Sequence, residues 1–170
     1  MCDVGIFFGT DTGNTEFVAN LIKKYLFPIQ SKLFNINNTK KKDIENFNIL
    51  FFGISTWYYG DMQSDWEEFQ PILKKINFSN KKIAFFGCGD QQDYGEYFCD
   101  AIGLLYKFIN INKKNLIGKF SIKGYNFISS KALLNKNFFY GLPIDIDRQS
   151  NLTKKRVIKW INSIKKKIHI

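Results

Sequence analysis

The chain has 170 residues, a length typical of a single domain that buries most of its apolar surface. Its composition is 45% hydrophobic and 17% aromatic, which excludes a disordered protein, and no apolar run is long enough to span a membrane. The formal net charge is +10, and three irregularly spaced cysteines indicate free thiols rather than a disulfide framework or a zinc site. We expect one domain over residues 1–170. Because Met1-Cys2-Asp3 enters a predicted strand without a signal peptide, we also expect a cytoplasmic location.

Short apolar runs alternate with amphipathic runs, which predicts a parallel sheet with helices on both faces. The predicted strands cover about residues 3–8, 31–36, 49–54 and 82–87, and the predicted helices about residues 13–26, 40–46, 63–75, 96–110 and 152–167. Pro71 predicts a kink or break inside the third helix, and the last helix is expected to open on Ser150 or Asn151. The periodicity is lost over residues 119–140 and returns at 140–144, which indicates a fifth strand interrupted by an insertion.

Acidic and basic residues are segregated along the sequence. Basic clusters are typical of proteins that bind nucleic acids, but here the lysine runs fall mostly at loops and helix ends. The chain is also rich in Asn, Lys, Ile and Phe, a bias expected from drift in base composition, so we favour a solvated lysine rim over nucleic-acid binding. Ten of the 15 acidic residues lie in three windows without lysine: Asp61, Asp65, Glu67 and Glu68; Asp90, Asp93, Glu96 and Asp100; Asp145 and Asp147.

The loop between the first strand and the first helix has the composition of an anion site. The start of a helix leaves backbone N–H groups unpaired, and its dipole favours negative charge. Three threonines add hydroxyl groups, and Gly13 permits close approach of a ligand to the backbone. The loop lacks both the lysine of a nucleoside-triphosphate loop and the G-x-G-x-x-G dinucleotide pattern, so it favours a monophosphate. The alternative is an ordinary helix start capped by Thr or Asp.

Two further loops follow the predicted strands 49–54 and 82–87. Ligands of open α/β sheets bind where such loops meet, at the carboxyl edge of the strands. The two loops offer Trp57 and Tyr94 beside glycines. Either aromatic alone is typical of packing under a loop, but both beside a phosphate loop indicate a flat ligand held between them.

These three loops resemble those of the bacterial flavodoxins, and the interrupted fifth strand is similar to their long-chain branch. The similarity continues through Asp145-Ile146-Asp147-Arg148-Gln149 to the last helix, so it covers essentially the whole chain. The matching motifs, in order, are Gly9-Thr10-Asp11-Thr12-Gly13-Asn14-Thr15, Thr56-Trp57-Tyr58-Tyr59-Gly60 and Cys88-Gly89-Asp90-Gln91-Gln92-Asp93-Tyr94, followed by Tyr97-Phe98-Cys99-Asp100.

The resemblance implies an α/β fold, a flavodoxin-like three-layer sandwich with a five-stranded parallel sheet of order 2-1-3-4-5. It implies non-covalently bound FMN, with no catalytic residue of the protein's own and no metal site. Trp57 and Tyr94 would cover the two faces of the flavin ring. The phosphate would be held by Thr10, Asp11, Thr12, Gly13, Asn14 and Thr15, and the ring edge and ribityl chain by Thr56, Tyr58, Tyr59, Gly60, Cys88, Gly89, Asp90, Tyr97 and Asp147.

The implied function is that of a low-potential, monomeric one-electron carrier between an NADPH-dependent flavodoxin/ferredoxin reductase and acceptor redox enzymes. Acidic residues near the flavin would oppose an anionic reduced form and lower the second potential. They would also give basic partners a docking rim. The net charge of +10 departs from the resemblance, because flavodoxins are usually acidic overall.

Two other classes of protein remain as alternatives. A flavin-dependent quinone or azo reductase on the same fold needs an open substrate cavity over the flavin, and Tyr94 capping the ring argues against it. The second alternative is a basic nucleic-acid-binding module that has lost FMN. The intact phosphate loop and both stacking aromatics argue against it, because such a module would not need them.

Overall fold

A computed structural model describes residues 3–168 of the chain. Cys2, expected as a free thiol, lies outside the described residues, whereas Cys88 and Cys99 are free and buried. The helices are Asn14–Leu26 (α1), Lys41–Glu45 (α2), Ser64–Leu73 (α3), Asp100–Ile109 (α4) and Ile146–Lys165 (α5). The strands are Val4–Phe8 (β1), Ser31–Asn35 (β2), Ile49–Trp57 (β3), Asp61–Met62 (β4), Lys82–Cys88 (β5), Phe120–Ser121 (β6), Leu133–Asn135 (β7), Phe138–Phe139 (β8) and Leu142–Ile144 (β9).

The main sheet has the strand order β2-β1-β3-β5-β9, and neighbouring strands along it are parallel. Counted in order of sequence within this parallel path, these are its second, first, third, fourth and fifth strands, so the predicted order 2-1-3-4-5 is confirmed. The short strand β4 adds to β3 in antiparallel orientation.

The central strands are buried because their side chains alternate between two hydrophobic layers. In β3, Phe51 packs with the layer under α1 and α5, whereas Phe52 packs with the layer on the opposite face. Each layer excludes water from one side of the sheet, which explains why β3 reads as a continuous apolar run. This three-layer arrangement agrees with the expected sandwich.

Two predicted helix starts were wrong, and a break considered for a third helix is absent. Helix α4 begins at Asp100 rather than near residue 96, because Cys99 has the left-handed φ of 53° and residues before it form turns. Helix α5 begins at Ile146, with non-helical backbone at Gln149, and the predicted start marks only the part after this kink. Helix α3 continues through Pro71 and ends two residues later, so no break occurs at the proline.

The predicted insertion forms a small sheet of its own, and its buried side chains Ala132 and Phe139 join one of the two core layers. Strands β6, β8 and β7 pair as a small antiparallel sheet. Before it, Leu116 makes an isolated parallel bridge to Ile83, and after it β9 pairs with the other end of β5. The fifth strand is therefore interrupted, as the loss of periodicity predicted.

Candidate functional site

The loops after β1, β3 and β5 meet the start of α5 at the carboxyl edge of the sheet, around a cavity of about 360 Å³. A volume in this range suits a small-molecule ligand. The cavity is lined by Thr12, Asn14, Thr15, Ser55, Thr56, Trp57, Tyr58, Cys88, Gly89, Asp90, Tyr94, Tyr97, Ile146 and Asp147.

The first loop ends in the start of α1, and its geometry is that of an anion cradle. Gly13 has φ of 88°, a left-handed conformation that suits glycine, and the space beside its Cα is open. Its N–H donates to Thr10 Oγ1 at 2.9 Å, which holds the turn closed. The N–H groups of the first turn of α1 are left without intrahelical acceptors and lie at this end of the cavity.

Thr15 supplies the most specific indication of a ligand. Its side chain is 1% exposed and lines the cavity beside the Cys88 thiol. Within residues 3–168, its Oγ1 has no hydrogen-bond partner of ordinary geometry, and the Cys88 thiol beside it offers only a weak hydrogen bond. A buried hydroxyl that lacks a strong partner costs free energy, so a partner that enters the cavity is favoured. A phosphate oxygen at the start of α1 is such a partner, and this donor set therefore fits a phosphate group.

The second loop brings Trp57 and Tyr58 to the cavity. Trp57 Nε1 donates to Ser55 Oγ at 3.2 Å, which orients the indole from within its own strand. Tyr58 has φ of 46°, unusual for a residue with a side chain, and Gly60 has φ of 101°. The turn is closed by the Gly60 N–H, which donates to the Trp57 carbonyl at 3.1 Å. Thr56 points to α4 and accepts a hydrogen bond from the Ala101 N–H at 3.0 Å.

The third loop carries Asp90 and Tyr94, the latter half exposed at the cavity. Burial raises the pKa of Asp90, but hydrogen bonds from the Asp93 and Gln92 backbones and the charge of Arg148 outweigh it, so its pKa is lowered overall. Arg148 comes from the first turn of α5, and its guanidinium contacts both Asp90, at 3.3 Å, and Asp93. Asp90 is therefore ionised at neutral pH.

The floor of the cavity is formed by the end of β5. Burial raises the pKa of the Cys88 thiol to about 12, although a hydrogen bond with the Thr15 hydroxyl lowers it and the charges of Asp147 and Asp145 raise it a little further. A neutral thiol is a poor nucleophile. Cys88 therefore contributes a wall to the site and no reactive group at neutral pH.

Twelve of the seventeen residues expected in the site line this cavity. Five do not: Thr10, Asp11, Gly13, Tyr59 and Gly60. Ser55 and Ile146 line it and were missed, although each immediately precedes an expected residue, Thr56 or Asp147. The geometry of the strand that leads to Thr56 could have indicated Ser55. Ile146 lines the cavity because α5 starts early, and the periodicity of apolar residues gave no signal of that start.

A second cavity of about 400 Å³ lies on the other side of Trp57 and Tyr58. Asp11 lines this cavity and accepts a hydrogen bond from Gln63 Nε2 at 3.2 Å. The Gln63 side chain is fully buried and also contacts Asp65, so it ties the first loop to α3. Asp11 thus supports the phosphate loop from outside the first cavity.

Residues 3–168 offer neither a cluster of metal ligands nor a helix able to span a membrane. That part of the chain contains no group of three or more His, Cys, Asp or Glu side chains arranged to hold a metal ion. None of its helices combines the length and the hydrophobicity that crossing a bilayer requires.

Comparison with known proteins identifies the class to which this fold and site belong. The family model described as Flavodoxin matches residues 6–160. The flavodoxin of Buchnera aphidicola from Acyrthosiphon pisum is 59% identical over 164 residues, covering 96% of each chain. Flavodoxin 1 of Escherichia coli K12 is 46% identical over 170 residues, covering all of this chain and 97% of its own.

Solved structures agree with the sequence comparison. The Fusobacterium nucleatum flavodoxin bound to flavin mononucleotide superimposes with a TM-score of 0.88 at 32% identity, covering 98% of this chain and 99% of its own. The chain belongs to the flavodoxin family, and its length fits the long-chain form. Flavodoxins are electron-transfer proteins rather than enzymes, as the sequence motifs implied.

Proposed function

We propose that this chain binds FMN in the 360 Å³ cavity and carries single electrons between redox proteins. The buried Thr15 hydroxyl at the start of α1, beside the weakly hydrogen-bonding Cys88 thiol, is the observation that supports this most directly. Membership of the flavodoxin family and similarity to a flavodoxin bound to flavin mononucleotide support the same cofactor. When bound, FMN supplies the redox chemistry, and the protein supplies position and charge.

The phosphate end of the site is the loop from Thr10 to Thr15. Thr12, Asn14 and Thr15 line the cavity and would donate hydrogen bonds to the phosphate with the N–H groups of α1. Thr10, Asp11 and Gly13 hold the loop in shape through the Thr10 to Gly13 hydrogen bond and the contact of Asp11 with Gln63. All donors in the loop are neutral, which suits a monophosphate exposed to water on one side.

Aromatic side chains form the other end of the site. Trp57 and Tyr94 line the same cavity from different loops and would enclose a flat ring, adding about 0.5–1.5 kcal/mol each beyond the area they bury. Thr56, Tyr58, Tyr97 and the backbone of residues 88–90 would contact the ring edge and ribityl chain. Asp147 would close the site from the start of α5, and Tyr59 and Gly60 would shape the turn beside it.

The physiological setting is a further part of the proposal. We propose that residues 1–170 act as one monomeric cytoplasmic domain. It would be reduced by an NADPH-dependent flavodoxin/ferredoxin reductase and would pass electrons to acceptor redox enzymes. The exposed faces of Tyr58 and Tyr94 lie at the cavity, with the exposed Tyr59 next to Tyr58 in the same turn, so an electron could reach a partner there over a short distance. No partner residue needs to enter the site.

The cofactor assignment is tested by removing the Thr15 hydroxyl. Thr15→Val keeps the side-chain shape but removes the proposed phosphate contact, so FMN should bind roughly tenfold more weakly in a titration of the full chain. Thr153→Val is a matched control, because Thr153 Oγ1 is also buried without a partner in the described part of the chain, but on α5 and away from the cavity. Equal affinity of the two variants for FMN would contradict the assignment.

A further inference from the structure

The wall of the cavity between β5 and α4 has no regular secondary structure. Residues 89–99 form turns, yet this segment brings Asp90, Tyr94 and Tyr97 into the cavity lining. Without the hydrogen-bond ladder of a helix or sheet, its position depends on contacts with neighbouring segments. Those contacts determine how precisely Tyr94 is placed.

Gln91 makes contacts from this loop to two other segments. Its backbone N–H and its side-chain Nε2 donate to Asp145 Oδ2, at 3.1 and 2.9 Å. Its side-chain Oε1 accepts from the Asn126 N–H of the insertion at 2.6 Å. Gln91 is 6% exposed and does not line the cavity. One buried amide therefore joins the loop, the insertion and the residue that precedes α5.

Asp145 gives these hydrogen bonds unusual strength. Its side chain is fully buried, and Oδ1 accepts from the Arg148 N–H at 2.9 Å, which caps the start of α5. Hydrogen bonds to a buried carboxylate are stronger than those between neutral groups, and losing them leaves the charge unsatisfied. Because Ile146 and Asp147 follow directly and line the cavity, the same carboxylate couples two walls of the site.

The insertion supports the loop at further points beyond Gln91. The N–H groups of Ile128 and Ser129 both donate to the Gly95 carbonyl, at 2.8 and 3.0 Å. The Ser130 hydroxyl donates to the Phe98 carbonyl at 2.5 Å. These contacts hold the second half of the loop, whereas the half that contains Asp90 and leads into Tyr94 is held by Gln91 in the interior and by Arg148, which pairs with Asp90 and Asp93, at the surface.

We propose that Gln91 is a positioning residue of the FMN site, which fixes the Tyr94 loop through Asp145 and Asn126 without touching the cofactor. The inference rests on the proposed function and adds to it a residue outside the cavity. Its role is to satisfy the buried Asp145 carboxylate with a neutral donor. A negative charge at position 91 would face Asp145 and push the loop away from α5.

The test compares two identical substitutions at neighbouring positions. Gln91→Glu replaces the buried donor by an acceptor of the same shape, whereas Gln92→Glu adds the same charge to an exposed side chain of the same loop. The measurement is the rate at which the full, FMN-loaded chain releases FMN on dilution, followed by flavin fluorescence. At pH 8 we expect release from the Gln91→Glu protein to be roughly tenfold faster than from the Gln92→Glu protein.

The dependence on pH separates positioning from a general loss of packing. Burial and the Asp145 charge would both raise the pKa of the introduced carboxyl group above the ordinary Glu value. Once protonated it can donate to Asp145 again, so the difference in release rate should shrink as the pH falls from 8 towards about 5. The Asp145 charge also bears on Cys88, Cys99 and Tyr125, all of which remain neutral over this range. The other charged groups at this corner are Asp90, Asp93, Asp147, Arg148 and Arg156.

Gln91→Met provides a second variant without a charge. It fills similar space but cannot donate, so we expect faster FMN release that does not recover at low pH. If Gln91→Met releases FMN as slowly as the unsubstituted chain, or if Gln91→Glu behaves like Gln92→Glu at every pH, the proposal is wrong. If the unsubstituted chain does not retain FMN at all, the failure lies in the proposed function instead.

Discussion

Arg148 holds two of the carboxylates at the mouth of the cavity. Its guanidinium bridges Asp90 and Asp93, and their charges raise the pKa of Arg148 while its own charge lowers that of Asp90. The local charge that a bound flavin meets is therefore less negative than the acidic residues of the loop suggest. The acidic windows of the sequence indicate the carboxylates, but nothing in the pattern marks Arg148 as the cation that partly cancels their charge.

Replacing Arg148 should change the redox potential in the direction opposite to replacing the aspartates. Arg148→Gln leaves Asp90 and Asp93 without their cation, so adding the second electron to FMN becomes less favourable and the second midpoint potential falls. Asp90→Asn with Asp93→Asn removes two negative charges and should raise the same potential by a larger amount. Both are measured by spectroelectrochemical titration of the FMN-loaded chain.

Lys155→Gln is the control for Arg148→Gln, because it removes an exposed positive charge farther along α5. A shift as large in this control as in Arg148→Gln would show that total charge matters rather than its position. An unchanged second potential in the double aspartate variant would contradict the electrostatic account of these residues.

The backbone of helix α4 packs directly against the backbone of the insertion. A Cβ atom on Gly103 would lie 1.9 Å from the Lys131 carbonyl oxygen, so only glycine permits this approach. In an isolated helix alanine is favoured over glycine by about 1 kcal/mol, and the contact reverses that preference. The insertion is thereby held against the helix that follows the Tyr94 loop.

Gly103→Ala should destabilise the protein although it improves helix propensity. Forcing the insertion away from α4 is expected to lower the free energy of unfolding by about 1–3 kcal/mol. Urea unfolding of the FMN-loaded chain measures the change, with Lys107→Ala at an exposed position of the same helix as control. An unfolding midpoint for Gly103→Ala equal to or above that of the unsubstituted chain would exclude this packing.

Sequence patterns predicted the elements that neighbouring residues determine. They missed the features that depend on contacts between segments far apart in the sequence. The apolar run of β3 and the Gly-Thr-rich loop before α1 are legible because adjacent residues determine them. The late start of α4 depends on Lys131 and Ser130 of the insertion, which hydrogen-bond to Asp100 and to the Phe98 carbonyl. The periodicity of apolar residues does not report such contacts. For the same reason, Gln91 was recognised only as part of a motif and not as a contact between segments.

Charge is distributed unevenly over the whole molecule. Asp61, Asp90 and Asp147 lie at the carboxyl edge of the sheet, around the cavities. Lysines lie at the opposite ends of the elements: Lys82 begins β5, Lys74 follows the last turn of α3, and Lys165 is in the last turn of α5. On this charge distribution, a basic partner would be attracted to the cavity edge even though the net charge is +10.

Electron transfer from a basic reductase should therefore depend on the acidic edge and not on the lysine end. Asp61→Asn with Glu67→Gln removes two exposed negative charges beside the second cavity and should slow the bimolecular reduction rate severalfold at low salt. Lys166→Gln with Lys167→Gln removes two exposed positive charges at the far end and should leave the rate nearly unchanged. Stopped-flow reduction at low and high salt compares them.

High salt should remove the difference between these variants, since exposed charges are screened over about 10 Å at 0.1 M. If removing the lysines accelerates reduction as much as removing the acidic residues slows it, net charge controls docking. The proposed acidic docking edge would then be wrong.

The central claim is that this chain holds FMN and transfers its electrons one at a time. An anaerobic reductive titration of the FMN-loaded chain, followed by visible absorbance, tests that claim most directly. We expect two separate one-electron steps, because the site places carboxylates where the second electron adds negative charge. Bleaching in a single two-electron step would contradict the account and would instead fit a flavin-dependent reductase.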